Sequence, residues 1–519
     1  MSEYLRKGEI FPVKGENRAV PSVLTPRGHA FPENMHYLQG ELRRRDGSSQ
    51  IGGLSIGGQE ILHHDAFRLA DGNFRLMRHT KSTLERYNTG TDAFDDFTGV
   101  ALTGDNTRFY SSVTVTENDL YLFTNFLDNI RKFDDSAVST DLAGAAGLFK
   151  AKFIEYLAPY VFAAYLEESG TTIPTKGRWS DSNAPEVWNS GNAGSRLFTD
   201  DATEIRNVKK LQDLIFVYKE GVNYRGRIVS TAAVIEFILF EAGRGLYSPR
   251  ALVEADGKHF YMGLNDFHVN NGTRIENIGS KVREFIFNRL NRTKNETCHA
   301  LHVEEYKEVW FFITTVGEDW PNEVWKYNYE YGFWYKDTRL NVITTTNFKR
   351  TSGVTWNELV GTWNQQFWVW DDQSGSGDSP QQVFGSNNGI STVRDARKRN
   401  DNGVNYVSKF ETVDYTGLVE GGPAGPGPVI GLEDDQEWAQ FDFWGLGTSS
   451  MISYSTDFGK TWVFIKTKTL TSVMKKHTIF FHTIAEHIRF KIETSSENDD
   501  MIIRHAIPYY IDAGEIENP

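Results

Sequence analysis

Apolar positions along the chain gather into short aromatic and β-branched runs, separated by turn residues and alternating with polar positions. The pair FRLMRH and TLERYN starts at Phe74, LYLFTNFLDNIRKF at Leu120 and FIEYLAPYVFAAYL at Phe153. LIFVYKEGVNYRGRI follows at Leu214, HFYMGLNDFHV at His259, EVWFFI with EVWKYNYEYGFWY at Glu308, and QQFWVWDD at Gln365. Each reads as strand–turn–strand, with Asp-Asn, Glu-Gly or Asn-Asp at the bend. The starts lie roughly 40–60 residues apart, near the ~40–50-residue period of propeller blades. The pattern predicts a mainly β protein, with a six- to seven-bladed β-propeller-like domain over residues 61–415. Ring closure is the physical reason to expect it, because a closed ring hides strand edges.

Helical periodicity is scarce. Lys281 to Asn291 (KVREFIFNRLN) has apolar residues at mixed i, i+3 and i+4 spacing and predicts about three helical turns. Pro159 interrupts the run from Phe153 and predicts two strands around a bend instead of a helix. Residues 1–60 are polar and irregular, with glycines at 52, 53, 57 and 58, and read as an attachment arm. Residues 416–435 contain GLVEGGPAGPGPVIG, whose Gly/Pro density excludes helix and central strand and predicts a loop or linker. Its Gly421, Gly422, Pro423, Gly425, Pro426, Gly427 and Pro428 form a candidate projecting loop. Alternation returns over 436–519 in MISYS, WVFIKTKTL, TIFFHTI and HIRFKIE, predicting a C-terminal β-rich domain.

Composition sharpens this picture. The chain has 519 residues, 13% of them aromatic, which suits strands. No window of ~18 apolar residues occurs, so no membrane helix is expected. The opening MSEYLRKGEIFPVKG lacks a secretory core, so synthesis in the cytoplasm is the expectation. Net charge is −14, from 69 acidic and 55 basic residues, which argues against a surface that wraps nucleic acid. The single cysteine, Cys298, excludes an internal disulfide and a multi-cysteine zinc site.

The sharpest local motif is Ser455-Thr-Asp457-Phe-Gly459-Lys-Thr461-Trp462, which fits the S-x-D-x-G-x-T-W Asp box of β-rich proteins. In it Asp457 binds turn amides, Gly459 takes positive φ, and Trp462 packs beneath, so its expected role is structural. A sialidase would need an arginine triad and a Tyr–Glu nucleophile, and the nearest phrase, Tyr224-Arg225-Gly226-Arg227, supplies no such set. Cys298-His299 with His302, and His477, His482 and His487 at five-residue spacing, split across strand faces and are expected to be ordinary core or surface residues. GGLSIGGQE lacks the G-K-[ST] of a P-loop. Arg43, Arg44 and Arg45, and the run from Ala396 to Asn400, read as solvated faces or subunit contacts. No catalytic constellation, cofactor or metal site is expected, which shifts weight from enzyme to structural or assembly protein.

Several phrases taken in order resemble the tail nozzle or tail hub proteins of short-tailed bacteriophages, including packaged-DNA stabilisation proteins. They are Gly40-Glu-Leu-Arg-Arg-Arg-Asp-Gly47, Phe123-Thr-Asn-Phe-Leu-Asp128, Trp179-Ser-Asp181 with Pro185 and Trp188, and Gly245-Leu-Tyr-Ser-Pro-Arg250. Asp256-Gly257, Phe260 to Phe267, Asn271-Gly272, Val282, the Asp box and Ile488-Arg-Phe490 complete the set. The resemblance implies a virion protein made in the host cytoplasm, in a homohexameric ring below the portal and adaptor rings. Such a ring extends and gates the exit channel for double-stranded DNA and carries tail fibres or spikes, without membrane insertion. The alternative expectation is a carbohydrate-binding or carbohydrate-active β-propeller, supported by the Asp box and the aromatic content.

Overall fold

The computed structural model describes residues 5–6, 15–19, 29–38, 40–230, 234–339, 341–349, 380–416 and 436–512. Seven four-stranded antiparallel blades form a β-propeller. Blade one runs His63–Arg68, Phe74–His79, Leu84–Asn88 and Ala93–Asp96, and blade two ends in the two-residue strand Thr140–Asp141. Blades three to six occupy residues 150–197, 205–242, 252–277 and 299–338. Blade seven takes Val342–Phe348, Gln381–Ser386 and Ser391–Asp395 from the end of the ring, and its fourth strand, Gly47–Ile51, from the start of the chain. Val342–Phe348 packs beside His63–Arg68, so the last blade meets the first. Blades four and five share a core that includes Phe216, Tyr218, Leu252 and Tyr261.

The hairpins obey local rules. Between Leu252–Ala255 and Lys258–Met262 the two turn residues, Asp256 and Gly257, both have positive φ, as a tight twisted hairpin demands. The strand pair predicted around Pro159 is present as Lys150–Leu157 and Tyr160–Glu168. The predicted three-turn helix is reduced to Arg283–Phe287. Leu290 instead bridges to Thr315, and the Asn291 side chain accepts from the Thr293 amide to start a separate 3-10 turn, so local capping ends the helix early.

A β-sandwich adjoins the ring. One sheet runs in the order Met35–Leu38, Glu41–Arg44, Met501–Asp512, Gln436–Gly447, Lys475–Ala485. The other runs Ala30–Glu33, Ser408–Thr412, His487–Thr494, Ser449–Ser455, Val463–Thr469. Trp438, Phe441, Phe443, Ile479, Phe490 and Ile492 are among the residues that fill the space between them. The second sheet does not stop at the sandwich. Ala30–Glu33 pairs with Phe333–Thr338, the outer strand of blade six, to make one sheet of ten strands.

Two expected boundaries therefore move. Residues 30–51, read as irregular arm, form four strands: a local hairpin, Met35–Leu38 with Glu41–Arg44, that joins the sandwich through Met501–Asp512, one strand linking sandwich to blade six and one closing blade seven, three of the four completed by partners hundreds of residues away. Ser408–Thr412 and Tyr415, assigned to the propeller by position, and Thr416, assigned to the linker, pair with His487–Thr494 in the sandwich. Residues 417–435, with the candidate loop Gly421, Gly422, Pro423, Gly425, Pro426, Gly427 and Pro428, lie outside the described residues, as does QQFWVWDD.

Candidate functional site

Three places could carry function: the propeller's central cavity, the junction of the two domains, and the outer edge of the sandwich. The cavity has a volume of about 430 Å³ and is lined from the inner strands of all seven blades. Polar groups tie blade to blade across it. The Lys209 ammonium lies 3.2 Å from Glu155, and Lys152 lies 2.7 Å from Glu296. Ser112 donates to Asp65 at 2.5 Å and meets the His63 ring nitrogen at 2.7 Å. Arg250 stacks on Phe109 and donates to the Ile343 carbonyl at 2.6 Å.

These ties set the charges. Burial pulls Arg250 down to about 9 and His63 down to about 4, whereas the facing Glu155 raises Lys209. Such a space admits on the order of ten waters or one small solute. It is a polar plug, not a passage for a nucleic-acid duplex.

The junction contains the basic run Arg43, Arg44 and Arg45. The expectation of a solvated face is overturned for two of the three, because Arg44 and Arg45 are buried. Arg45 bonds Asp401 at 2.5 Å and Asn34 at 3.0 Å, and its guanidinium lies 3.5 Å from the Tyr406 ring centre. Arg44 donates to the backbone carbonyls of Ser496, Asp499, Arg399 and Tyr406. Asp46 receives Arg394 at 2.6 Å and Arg399 at 3.2 Å, and its carboxyl is held below the usual range despite burial. An alternation that puts successive residues on opposite faces cannot reveal this. The arginines lie where the chain passes between two bodies, and every face is interior.

The Asp box forms the turn between Ser449–Ser455 and Val463–Thr469. Asp457 accepts from the Thr461 amide at 2.9 Å and its hydroxyl at 2.6 Å, and from Ser455 at 2.7 Å. These bonds hold its carboxyl well below the ordinary value. The Ser455 hydroxyl accepts from the Gly459 amide at 2.9 Å. Gly459 has φ +82°, and a Cβ there would stand 2.8 Å from an Arg489 nitrogen. Trp462 is half-buried with the Lys491 ammonium 4.8 Å from its ring. The turn is complete in itself, with its acid committed to local donors.

Beyond the turn, Val463–Thr469 and Lys475–Ala485 are the last strands of their two sheets. Phe464 is 58% exposed and Phe480 69%, and Val463, Val473 and Ile484 are exposed beside them. Residues 458–485 hold five lysines and no acidic residue, in a chain of net charge −14. That charge run was visible in the sequence. Its meaning needed the topology, which shows that both strands are edges.

The other residues singled out disperse. Cys298 is buried and its thiol is pushed up to about 11 by burial. His299 stacks on Phe312 and His302 meets the Tyr329 hydroxyl at 3.1 Å. His477 bonds the Gly445 carbonyl, His482 lies 3.2 Å from Glu437, and His487 stacks on Phe458. Among the described residues no group of three or more His, Cys, Asp or Glu side chains is placed to hold a metal. Tyr224 is core, while Arg225 bonds the Gly272 carbonyl and Arg227 pairs with Glu236, so that phrase builds no carboxylate clamp.

No family model matches the chain, and no curated protein sequence matches it. Among solved structures it is similar to the Pan2 WD40 domain of Neurospora crassa at 9% identity, with 69% of this chain and 96% of that one covered and a TM-score of 0.39. It is also similar to the extracellular domain of the one-component system BT4673 of B. thetaiotaomicron, at 10% identity and a TM-score of 0.42. That match covers 90% of this chain and 62% of the other. Raptor of Chaetomium thermophilum matches at 9% identity and a TM-score of 0.38, covering 67% of this chain and 29% of that one.

Proposed function

We propose that this chain is a structural subunit of a phage tail, a nozzle or hub protein whose copies surround the DNA exit path. The reading starts from the sequence resemblance. One structural observation supports it most: propeller and sandwich are built as one body, joined by a ten-stranded sheet and a buried arginine–aspartate junction. A part that bears pressure gains from such continuity, whereas an enzyme needs a cleft with convergent reactive groups. In this reading DNA passes between copies, since the cavity inside each propeller is too small. The acidic net charge keeps that passage from gripping the duplex. Sandwich and blade loops are the surfaces offered to portal, adaptor, fibre or spike proteins.

The test is quantitative mass spectrometry of purified particles with antibody-labelled electron microscopy. About six copies at the tail tip is the expected result, and particles lacking the gene product should package DNA and then leak it. Full heads that merely fail to adsorb would instead indicate a fibre anchor. Absence from particles, together with binding to or cleavage of host polysaccharide, would replace the proposal with the carbohydrate reading that the Asp box suggests.

A further inference from the structure

We infer that two specific surfaces join copies of this chain head to tail: the basic, apolar edge of the sandwich and the acidic outer rim of blades one and two. The inference rests on the assembly reading above for the number of copies, and goes beyond it by naming the contact.

The first surface is chemically incomplete as it stands. Lys460, Lys466, Lys468 and Lys475 form no ion pair among the described residues, whereas Lys476 reaches Asp442 at 2.8 Å. Interleaved with them are Val463, Phe464, Val473, Phe480 and Ile484, all exposed. Two edge strands of 7 and 11 residues thus present apolar side chains together with an outer backbone edge that pairs with no other strand among the described residues. Lysines on an edge strand repel a second copy of the same edge, so the exposed apolar side chains between them fit a partner surface that is acidic.

The second surface has the complementary make-up. Residues 89–105 and 134–141 contain seven acidic side chains and no basic one, of which Asp135 pairs with Arg75 and Arg86 and Asp141 with Arg131. Asp95 bonds the Asn88 amide, Asp96 the Thr98 amide, Asp105 the Thr107 amide and hydroxyl, and Asp134 the Ser136 amide and hydroxyl, none of them a cation. Ala93–Asp96 and Thr140–Asp141 are the outermost strands of their blades. Beside them Val100 is 76% exposed and Val138 51%. Apolar tips within an acidic field match apolar tips within a basic one.

Topology separates the two. The sandwich grows from the outer strand of blade six, and blade two is as far from blade six as a ring of seven permits. Surfaces on opposite sides cannot satisfy each other within one chain. Between copies they make a heterologous contact, which propagates and closes into a ring when the rotation per copy allows.

The experiment uses the full chain in sedimentation velocity. Lys466→Glu/Lys468→Glu/Lys475→Glu reverses the edge, and Val100→Lys/Val138→Lys alters the rim without removing any hydrogen bond. Wild type should form higher oligomers whose association weakens by about tenfold or more between low and high salt. Each variant alone should be monomeric and should melt as wild type does when high salt has dissociated it. Mixed one to one, they should stop at dimers, because each supplies one intact end.

Variants that assemble like wild type would remove these surfaces and leave the tail reading standing. A mixture that stays monomeric would contradict head-to-tail pairing. A wild-type chain monomeric in low salt would overturn the inference outright. Edge-dependent assembly by a chain absent from virions would keep the contact and remove the tail reading.

Discussion

Propeller and sandwich are both stacks of alternating strands, yet they treat their edges in opposite ways. In the ring, inner strands face a polar cavity and most outer strands are short, as with Thr140–Asp141 and Ile275–Asn277, the exception being the eight-residue Ile235–Ala242 with its exposed Ile238 and Leu239. The seventh blade is finished by a strand brought from residue 47. The sandwich ends both its sheets in long strands carrying Phe464 and Phe480 into solvent. The same alternation thus seals one body and leaves the other open, which assigns stability to the ring and contact to the sandwich edge.

The sharpest way to break this comparison is to attack the junction that makes the two bodies one. Arg45→Ala leaves Asp401 without its main cation inside the interface and should cost about 3–5 kcal/mol, the range for breaking a buried pair. Urea unfolding should show it as a lower midpoint, and a split into two transitions would mark the domains uncoupling. An unchanged single transition would mean the junction does not couple them.

Ring closure is next. A Cβ at Gly47 would collide with the Asn400 backbone, so Gly47→Val should push the closing strand outward and cost about 1–3 kcal/mol as overpacking does. Hydrogen exchange should then rise in Ser391–Asp395, its partner, and stay unchanged in blade three.

The buried groups of blade six give a pH signature. Burial raises Glu308 to about 8 and lowers Lys326 to about 8, and the Glu308 carboxyl receives the Tyr335 hydroxyl and, at 2.6 Å, the Trp310 indole. A carboxyl whose folded value exceeds its unfolded one contributes stability at low pH and loses it as pH rises through the folded value. Glu308 therefore lowers stability from pH ~4.5 to ~8. Lys326, depressed, returns stability from about pH 8 upward. Because buried histidines such as His63 and His259 add stability over part of the same window, the readout is the difference between variant and wild type: the melting temperature of Glu308→Gln relative to wild type should climb between pH ~4.5 and ~8. A difference that stays constant across that window would contradict the assignment.

Much of the ring was legible because several blades carry an apolar second strand buried on both faces, as LYLFT does in blade two. EVWFFI in blade six has every residue buried. Inner strands such as Ile205–Leu211 were hard to read, since one face meets the polar cavity and the pattern dilutes to IRNVKKL. Gly47–Ile51, GSSQI, carries almost no local signal, and only its pairing with Ser391–Asp395 makes it a strand. The Asp box could be read residue by residue because its bonds all lie within seven positions. Arg44 and Arg45 could not, because the carbonyls that hold Arg44 and the Asp401 that pairs with Arg45 lie more than 350 residues away.

Smaller effects sharpen the contrast at the edge. Asp457→Ala should raise exchange in the turn at 455–461 while leaving the ring untouched, and wild type should lose that protection as pH falls below the ordinary carboxylate range, since the folded value is depressed. Phe464→Ser with Phe480→Ser should change folding stability by no more than about 0.5 kcal/mol, as surface changes do, while weakening self-association.

The most direct test of an edge built for contact and a ring built for closure is hydrogen exchange compared between assembled and dissociated protein. On assembly, amides of Val463–Thr469 and Lys475–Ala485 should gain protection, as should those around residues 93–100, while inner strands such as His63–Arg68 stay constant. Protection gained at the cavity, with the sandwich edge unchanged, would contradict the account.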